Sequence, residues 1–275
     1  ANINGSYFAK QGFLADASLG LNSRDFNYYA YNFIDSTQGL EIDAQESGNI
    51  QLPPIKGALF IDAVTYSYSS NSPSILNSVS LKVDPGSFVG FVGQSGCGKS
   101  TLLKLMPRLY IPSTGKVYID GYDISKIDLY SYRRQLGFVP QDCMLFEGTI
   151  FSNITMGNDD APTELVVEMA QLACAHEFIM NLPYGYNTPI GEKGAGLSGG
   201  QRQRIGIARA IYSNSNFFFF FEATSAIDFE TEKKIIDNLI KLPGKTMIII
   251  SHRRSILEGC NKIFEIEGRQ ISQTK

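Results

Sequence analysis

Between residues 93 and 101 the chain reads Gly93-Gln94-Ser95-Gly96-Cys97-Gly98-Lys99-Ser100-Thr101. Glycines at this spacing let successive backbone N–H groups curl around phosphate, while Lys99 reaches the outer phosphates and Ser100 ligates Mg²⁺. The chemistry is capture of a nucleoside triphosphate, and this G-x-x-x-x-G-K-[ST] pattern alone says no more. Far downstream stands Leu197-Ser198-Gly199-Gly200-Gln201, ahead of a helical pattern from about Gln201 to Ile211. A hydroxyl and two unhindered amides at a helix N-terminus form a ready anion site. The plainer alternative there is an ordinary N-cap.

Both stretches need elements to hold them. Ala58 to Tyr66 alternates as a strand, Val79 to Val83 reads as another, and the apolar run Phe88–Val92 feeds straight into the glycines. Lys99 to Leu109 then has helical spacing through Leu102, Leu103 and Leu105. Strand, loop and helix in this order are the context a phosphate loop requires. Further strands are predicted at Lys116–Ile119, Leu136–Pro140, Phe217–Phe221, Thr246–Ile250 and Lys262–Ile266. Between Gln141 and Leu197 the chain is mostly helical, with Leu165, Val166, Met169 and Leu172 on one packing face and a helix start at Pro162–Thr163. Alternating strands and helices imply an α/β fold with a mostly parallel sheet, an antiparallel β subdomain and the helical stretch inserted as its own lobe.

The pentapeptide at Leu197, followed by Arg202-Gln203-Arg204, resembles the signature sequence of ATP-binding cassette (ABC) proteins. The resemblance covers about Gly57 to Ile271 and implies a P-loop NTPase (RecA-like) core. It also implies roles for single residues. Tyr68 stands where the family places an aromatic that stacks on adenine. Gln141, after Phe138-Val139-Pro140, looks like the Q-loop glutamine that ligates Mg²⁺ and contacts the attacking water. Glu222 matches the catalytic carboxylate, Ser225 to Asp228 resembles the D-loop, and His252 resembles the switch histidine at the γ-phosphate. The other histidine, His176, reads as solvated. Because the signature lies on a different lobe from the P-loop, its anion comes from another molecule. The expectation is a head-to-tail dimer with a second nucleotide-binding domain, closing around two ATP.

One position departs from the family pattern. Four apolar residues and then Asp precede the catalytic Glu in the family, whereas here the run is Phe217-Phe218-Phe219-Phe220-Phe221-Glu222. Phe221 thus occupies the aspartate position, whose carboxylate holds the Mg²⁺ shell. A hydrogen bond to a charged group is worth about 1.5–3 kcal/mol, and a phenyl ring cannot make it. Three explanations compete: a natural degenerate site, a change in the sequence, or compensation by Glu222, the only nearby carboxylate. Five consecutive rings are also expected to strain close packing.

Gly191-Glu192-Lys193-Gly194 resembles the X-loop of exporters, and Gly148-Thr149-Ile150 with Asn153-Ile154 is similar to their sequence after the Q-loop. This implies the ATPase domain of an ABC exporter, with the exporter's transmembrane domain as partner. Alternatives are a degenerate regulatory ATP-binding module of a heterodimeric transporter and a soluble non-transport ABC ATPase. Residues 1–54 lack any sustained period and end at Pro53-Pro54, so they are expected to be a connector from an upstream transmembrane domain, with some helix near Asn22–Phe33 and with 55–275 as the nucleotide-binding domain and 142–200 as its helical lobe. No apolar stretch approaches the roughly 18–20 residues of a membrane helix. The chain therefore reads as the soluble part of a longer protein at the cytoplasmic face of a membrane, with a bacterial inner membrane expected. A net charge of −3 without a dense basic run gives no footprint for nucleic acid. Cys97, Cys143, Cys174 and Cys260 lie far apart and read as reduced thiols.

Overall fold

The computed structural model describes residues 48–69, 71–191, 194–251 and 257–275. The expected helix near Asn22–Phe33, Glu192 and Lys193 of the X-loop, and His252 lie outside them. Two compact units emerge: residues 139–215 with 223–239, and residues 48–138 with 216–222 and 240–275.

The second unit holds two sheets. In the larger, the strand order is β12-β11-β3-β10-β9-β6, from β3 (Phe88–Val92), β6 (Leu136–Val139), β9 (Phe217–Phe221), β10 (Thr246–Ile250), β11 (Lys262–Glu267) and β12 (Gln270–Gln273). β10 runs parallel to β3 and β9, β11 runs parallel to β3, and β12 pairs antiparallel with β11. Strands covered on both faces read as unbroken apolar runs, which is why β3, β9 and β10 begin and end where the sequence places them. The smaller sheet is antiparallel, in the order β2-β1-β4-β5, from β1 (Leu59–Tyr66), β2 (Leu76–Val83), β4 (Thr114–Ile119) and β5 (Tyr122–Asp123). Its residues alternate between buried and exposed, with a break in register after Ile61 where Ala63 takes φ 45°.

The five phenylalanines are accommodated. Phe217 and Phe219 meet edge to face at 4.8 Å on one side of β9, and Phe218 and Phe220 stack at 6.2 Å on the other. Room for the second pair comes from Gly137 in β6: a Cβ there would lie 2.2 Å from Cδ1 of Phe218. Phe217 to Phe220 are completely buried. Each contributes about 1.5–3 kcal/mol of apolar burial before ordering costs. The expected strain is relieved by a glycine on the neighbouring strand.

Helix α1 (Lys99–Leu105) follows β3, and its first turn carries the glycine loop. It stops short of the expected Leu109 because Pro107 brings no N–H and Arg108 turns left-handed at φ 59°. A short 3₁₀ turn (Ile124–Lys126) and α2 (Leu129–Arg133) complete the unit. They also hold the chain at its first described residues. Gly48 N and Ile50 N donate to Ile127 O and Lys126 O, Leu52 N donates to Ser131 Oγ, and Ile55 N donates to Gln135 Oε1.

The first unit is helical apart from the short pair β7 (Gly148–Thr149) and β8 (Pro189–Ile190). Its helices are α3 (Ile150–Thr155), α4 (Thr163–Leu172), α5 (His176–Met180), α6 (Gly199–Tyr212) and α7 (Phe229–Ile240). Around α6 gather buried residues of α3 and α4, among them Ile154, Val166 and Ala170. His176 is half-buried rather than solvated, because its Nδ1 lies 2.9 Å from the Tyr186 hydroxyl and shares a hydrogen bond with it.

Candidate functional site

In the second unit the phosphate loop leaves the C-terminal end of β3, where an open α/β sheet presents its ligand groups. Gly93 has φ 146°, and a Cβ on it would sit 2.5 Å from Ile266 O and 2.6 Å from Cys97 Sγ. Gly98, at φ 106°, supplies the left-handed turn into α1 and accepts from Leu102 N at 2.9 Å. No side chain fits either position. Between them Gln94, Ser95 and Gly96 stand exposed, so the mouth of the loop is open to a phosphate chain.

Lys99 is only 5% exposed. Its Nζ donates to Gly93 O and Gln94 O, both at 2.7 Å, and lies 3.7 Å from Cys97 Sγ. The ammonium is therefore desolvated and fixed beneath the curl of amides, which is the geometry for neutralising phosphate charge. Ser100 is half-buried beside it.

Tyr68 is tied to the same helix. Its hydroxyl lies 2.9 Å from Oγ1 of the buried Thr101 and shares a hydrogen bond with it. The ring stands edge-on to Tyr66 and Tyr110, which stack on each other 5.1 Å apart. This support leaves 58% of Tyr68 exposed. A braced, exposed aromatic next to the phosphate loop is suited to stacking on a flat base.

β9 ends two strands away from β3, with Ile250 of β10 opposite both Phe221 and Phe91. Two strand spacings amount to roughly 10 Å. Phe221 is half-buried at that end, and its ring offers no hard oxygen to a cation. Glu222 follows with φ 47°, a left-handed conformation unusual for a residue with a long side chain. The chain thus leaves the strand abruptly at the carboxylate. Among the described residues no three His, Cys, Asp or Glu side chains come together as a metal site. The protein donors suit an ATP phosphate chain well. For Mg²⁺, which prefers one or two carboxylates beside phosphate oxygens, this unit offers the Ser100 hydroxyl but no aspartate at 221.

The first unit holds Gln141, the signature residues and the Ser225–Asp228 loop. Ser198 caps α6 through a reciprocal box: its Oγ accepts from Gln201 N at 3.2 Å, and Gln201 Oε1 accepts from Ser198 N at 2.9 Å. Arg202 Nη1 donates to Leu197 O at 2.6 Å, fixing the entry of the chain. Gly199 and Gly200 open the helix two residues earlier than the pattern implies. A Cβ on Gly200 would come 2.7 Å from Ala226 O, so the signature glycines pack directly on the loop holding Ser225 and Asp228. Asp228 Oδ1 accepts from Thr231 N at 3.0 Å, and the Thr231 hydrogen bonds hold its carboxyl below the ordinary carboxylate range.

Asn153 has its amide committed to Phe146 N and O, Thr149 O and Arg209. The sequence Asn153-Ile154-Thr155 matches a glycosylation sequon, and these bonds leave its asparagine amide no accessible nitrogen. All four cysteines are free thiols, and burial pushes Cys143 upward and Cys260 up to about 12. Sequence reasoning does not single out Gln203, whose buried amide joins the loop at Gln141 to the loop at Ser225. The available signal is a glutamine on the helix face shared by the buried Gly206, Ile207 and Ala210.

Comparison with known proteins identifies the family and the fold. The family model described as ABC transporter matches residues 76–225. The leukotoxin translocation ATP-binding protein LktB of Mannheimia haemolytica is 46% identical over 228 residues, which is 82% of this chain and 32% of that protein. An LktB of Bibersteinia trehalosi matches with the same identity and coverage. The chain therefore spans about a third of the length of the curated relatives it matches. A solved bacterial Atm1-family ABC exporter with ATP bound superposes with a TM-score of 0.75 at 37% identity, covering 83% of this chain and 40% of that one. This chain belongs to the ABC transporter family and is an exporter-type nucleotide-binding domain with the P-loop α/β fold.

Proposed function

We propose that this chain is the ATP-driven motor domain of a membrane exporter, working with a transmembrane domain at the cytoplasmic face of a bacterial inner membrane. Its ATP is held by the phosphate loop, with Lys99 under the phosphates and Tyr68 against adenine. Ser198 to Gln201 of a second nucleotide-binding domain close over that ATP, head to tail, and the two domains separate after turnover. Glu222 polarises the attacking water, Gln141 and His252 contact it and the γ-phosphate, and Asp228 lies at the junction. Residues 1–54 serve as the connector to the transmembrane part. Ser100 and Gln141 would hold Mg²⁺ beside the nucleotide's own oxygens, and the ion would supply charge neutralisation on the phosphates.

The observation that carries this reading is the buried Lys99 ammonium, bonded at 2.7 Å to two carbonyls of an otherwise open glycine loop at a strand's C-terminal end. Phe221 favours a second reading alongside it, a module that binds ATP and closes but hydrolyses it slowly. Metal contacts strengthen the transition state more than the ground state, so turnover suffers more than affinity. Calorimetric titration with ATP, with and without Mg²⁺, and steady-state turnover test both readings. The expected result is clear ATP binding with weak Mg²⁺ dependence and very slow hydrolysis. Absence of ATP binding in the folded chain would contradict the proposal.

A further inference from the structure

Three residues of α6 at a spacing of three, Gln203, Gly206 and Arg209, lie along the segment that follows β6. Gln203 Nε2 donates to Gln141 O at 2.9 Å. Gly206 leaves the space taken by Cys143, since a Cβ there would come 2.0 Å from its Sγ. Arg209 Nη1 donates to Met144 O, and its Nε and Nη2 donate to Asn153 O and Oδ1, all within 2.9 Å. The segment from Gln141 to Met144 thus runs along one stripe of the signature helix, fastened at three points.

Gln203 does more than its two neighbours on that stripe. The same Nε2 donates to Ser225 Oγ at 3.1 Å, and Oε1 accepts from Ala226 N at 3.0 Å. An N–H can only donate, so the Ala226 amide fixes which end of the Gln203 amide faces which loop. Gln203 is 4% exposed, whereas Gln141, Ser225 and Ala226 are exposed loop residues. One buried amide is therefore the anchor of two solvent-facing loops that are 22 and 62 residues away in sequence. Water can satisfy the loop groups if the anchor is lost, so its removal frees the loops without stripping the core of partners. Arg209 acts differently: its guanidinium donates to Met144 O and to Asn153 and lies 5.3 Å from the centre of the Phe146 ring, which pins the segment after Gln141 to α3.

We propose that Gln203 is a positioning residue for ATP hydrolysis, setting the Gln141 loop and the Ser225–Asp228 loop at a fixed offset from the signature helix. This rests on the reading that the three motifs line the γ-phosphate. When Ser198 engages a phosphate, the displacement of α6 carries both loops with it, because the amide that links them sits one turn from the helix start.

Two variants separate the loops. Gln203→Leu removes all three bonds. Gln203→Glu keeps an acceptor for Ala226 N but loses the donor to Gln141 O. In the chain as given, exchange of the Ala226 amide should speed up about fivefold or more in Gln203→Leu, from a net hydrogen bond of about 1 kcal/mol, and stay slow in Gln203→Glu. In the Phe221→Asp chain, both variants should lower kcat about tenfold while KM for ATP stays within about twofold, the pattern for an interaction used only in the transition state. Unchanged Ala226 exchange in Gln203→Leu would overturn the proposal. So would a rise in KM at unchanged kcat, or a Gln203→Glu variant as active as its parent. If Phe221→Asp itself shows no turnover, the reading of Phe221 fails, and the exchange result still decides whether Gln203 holds the loop.

Discussion

Replacing Lys99 with alanine removes the one cation buried in the phosphate loop. In the structure its Nζ already has two partners, Gly93 O and Gln94 O, each at 2.7 Å. An ammonium has three donors, and the carbonyls hold it where phosphate oxygens complete or replace those bonds. A hydrogen bond between charged groups contributes about 1.5–3 kcal/mol, so two lost phosphate bonds amount to about 3–6 kcal/mol, or about 10²–10⁴ in Kd. The backbone amides remain, but they cannot offset the outer phosphate charges. Isothermal calorimetry with ATP should show binding weakened by about 100-fold at least. Lys99→Arg should fall between the two, because the planar guanidinium keeps the charge but is too large for the space between Gly93 and Cys97. Circular dichroism confirms that each variant is folded before its affinity is compared. ATP affinity unchanged in a folded Lys99→Ala chain would refute the phosphate-loop assignment and everything built on it.

Tyr68→Ala should weaken ATP binding by about two- to tenfold, the loss of one stacking contact of about 0.5–1.5 kcal/mol, while Tyr68→Phe, which loses only the Thr101 bond, should bind nearly as the parent does; nucleotide titration checks both. Gly137→Val should destabilise the chain by about 1–3 kcal/mol in urea unfolding, because the new Cβ meets the fully buried Phe218 ring, and pairing it with Phe218→Leu should recover part of that loss. Ser198→Trp should leave ATP binding by the single chain intact but weaken ATP-dependent self-association, measured by sedimentation in the Phe221→Asp chain with non-hydrolysable ATP. A chain that stays monomeric at high concentration with nucleotide bound would remove support for the composite site.

How much of this was legible depends on where the information sits. β3, β9 and β10 are readable to the residue because strands buried on both faces leave unbroken apolar runs. The phosphate loop is readable because its backbone needs glycine at Gly93 and Gly98, and sequence records that need directly. β5 and the pair β7–β8 are two residues long and are fixed by partners rather than by pattern. The end of α1 depended on Pro107 and the left-handed Arg108, which outweigh the apolar spacing continued by Leu109. The packing of five phenylalanines was not legible, since the space comes from Gly137, 81 positions before Phe218. Gln203 is the sharpest case. A glutamine gives no sign of its role until the fold brings Gln141 and Ala226 to its amide.

The central claim is that Phe221, at the end of β9, stands where the proposed ATP site needs a metal-holding carboxylate. Restoring it is the direct measurement. Steady-state hydrolysis by Phe221→Asp should exceed that of the chain as given by at least about tenfold, the lower bound of a charged hydrogen bond of about 1.5–3 kcal/mol expressed as rate. The gain should vanish in the Phe221→Asp, Glu222→Gln chain, which lacks the carboxylate proposed to polarise water. Equal turnover before and after Phe221→Asp would contradict the account.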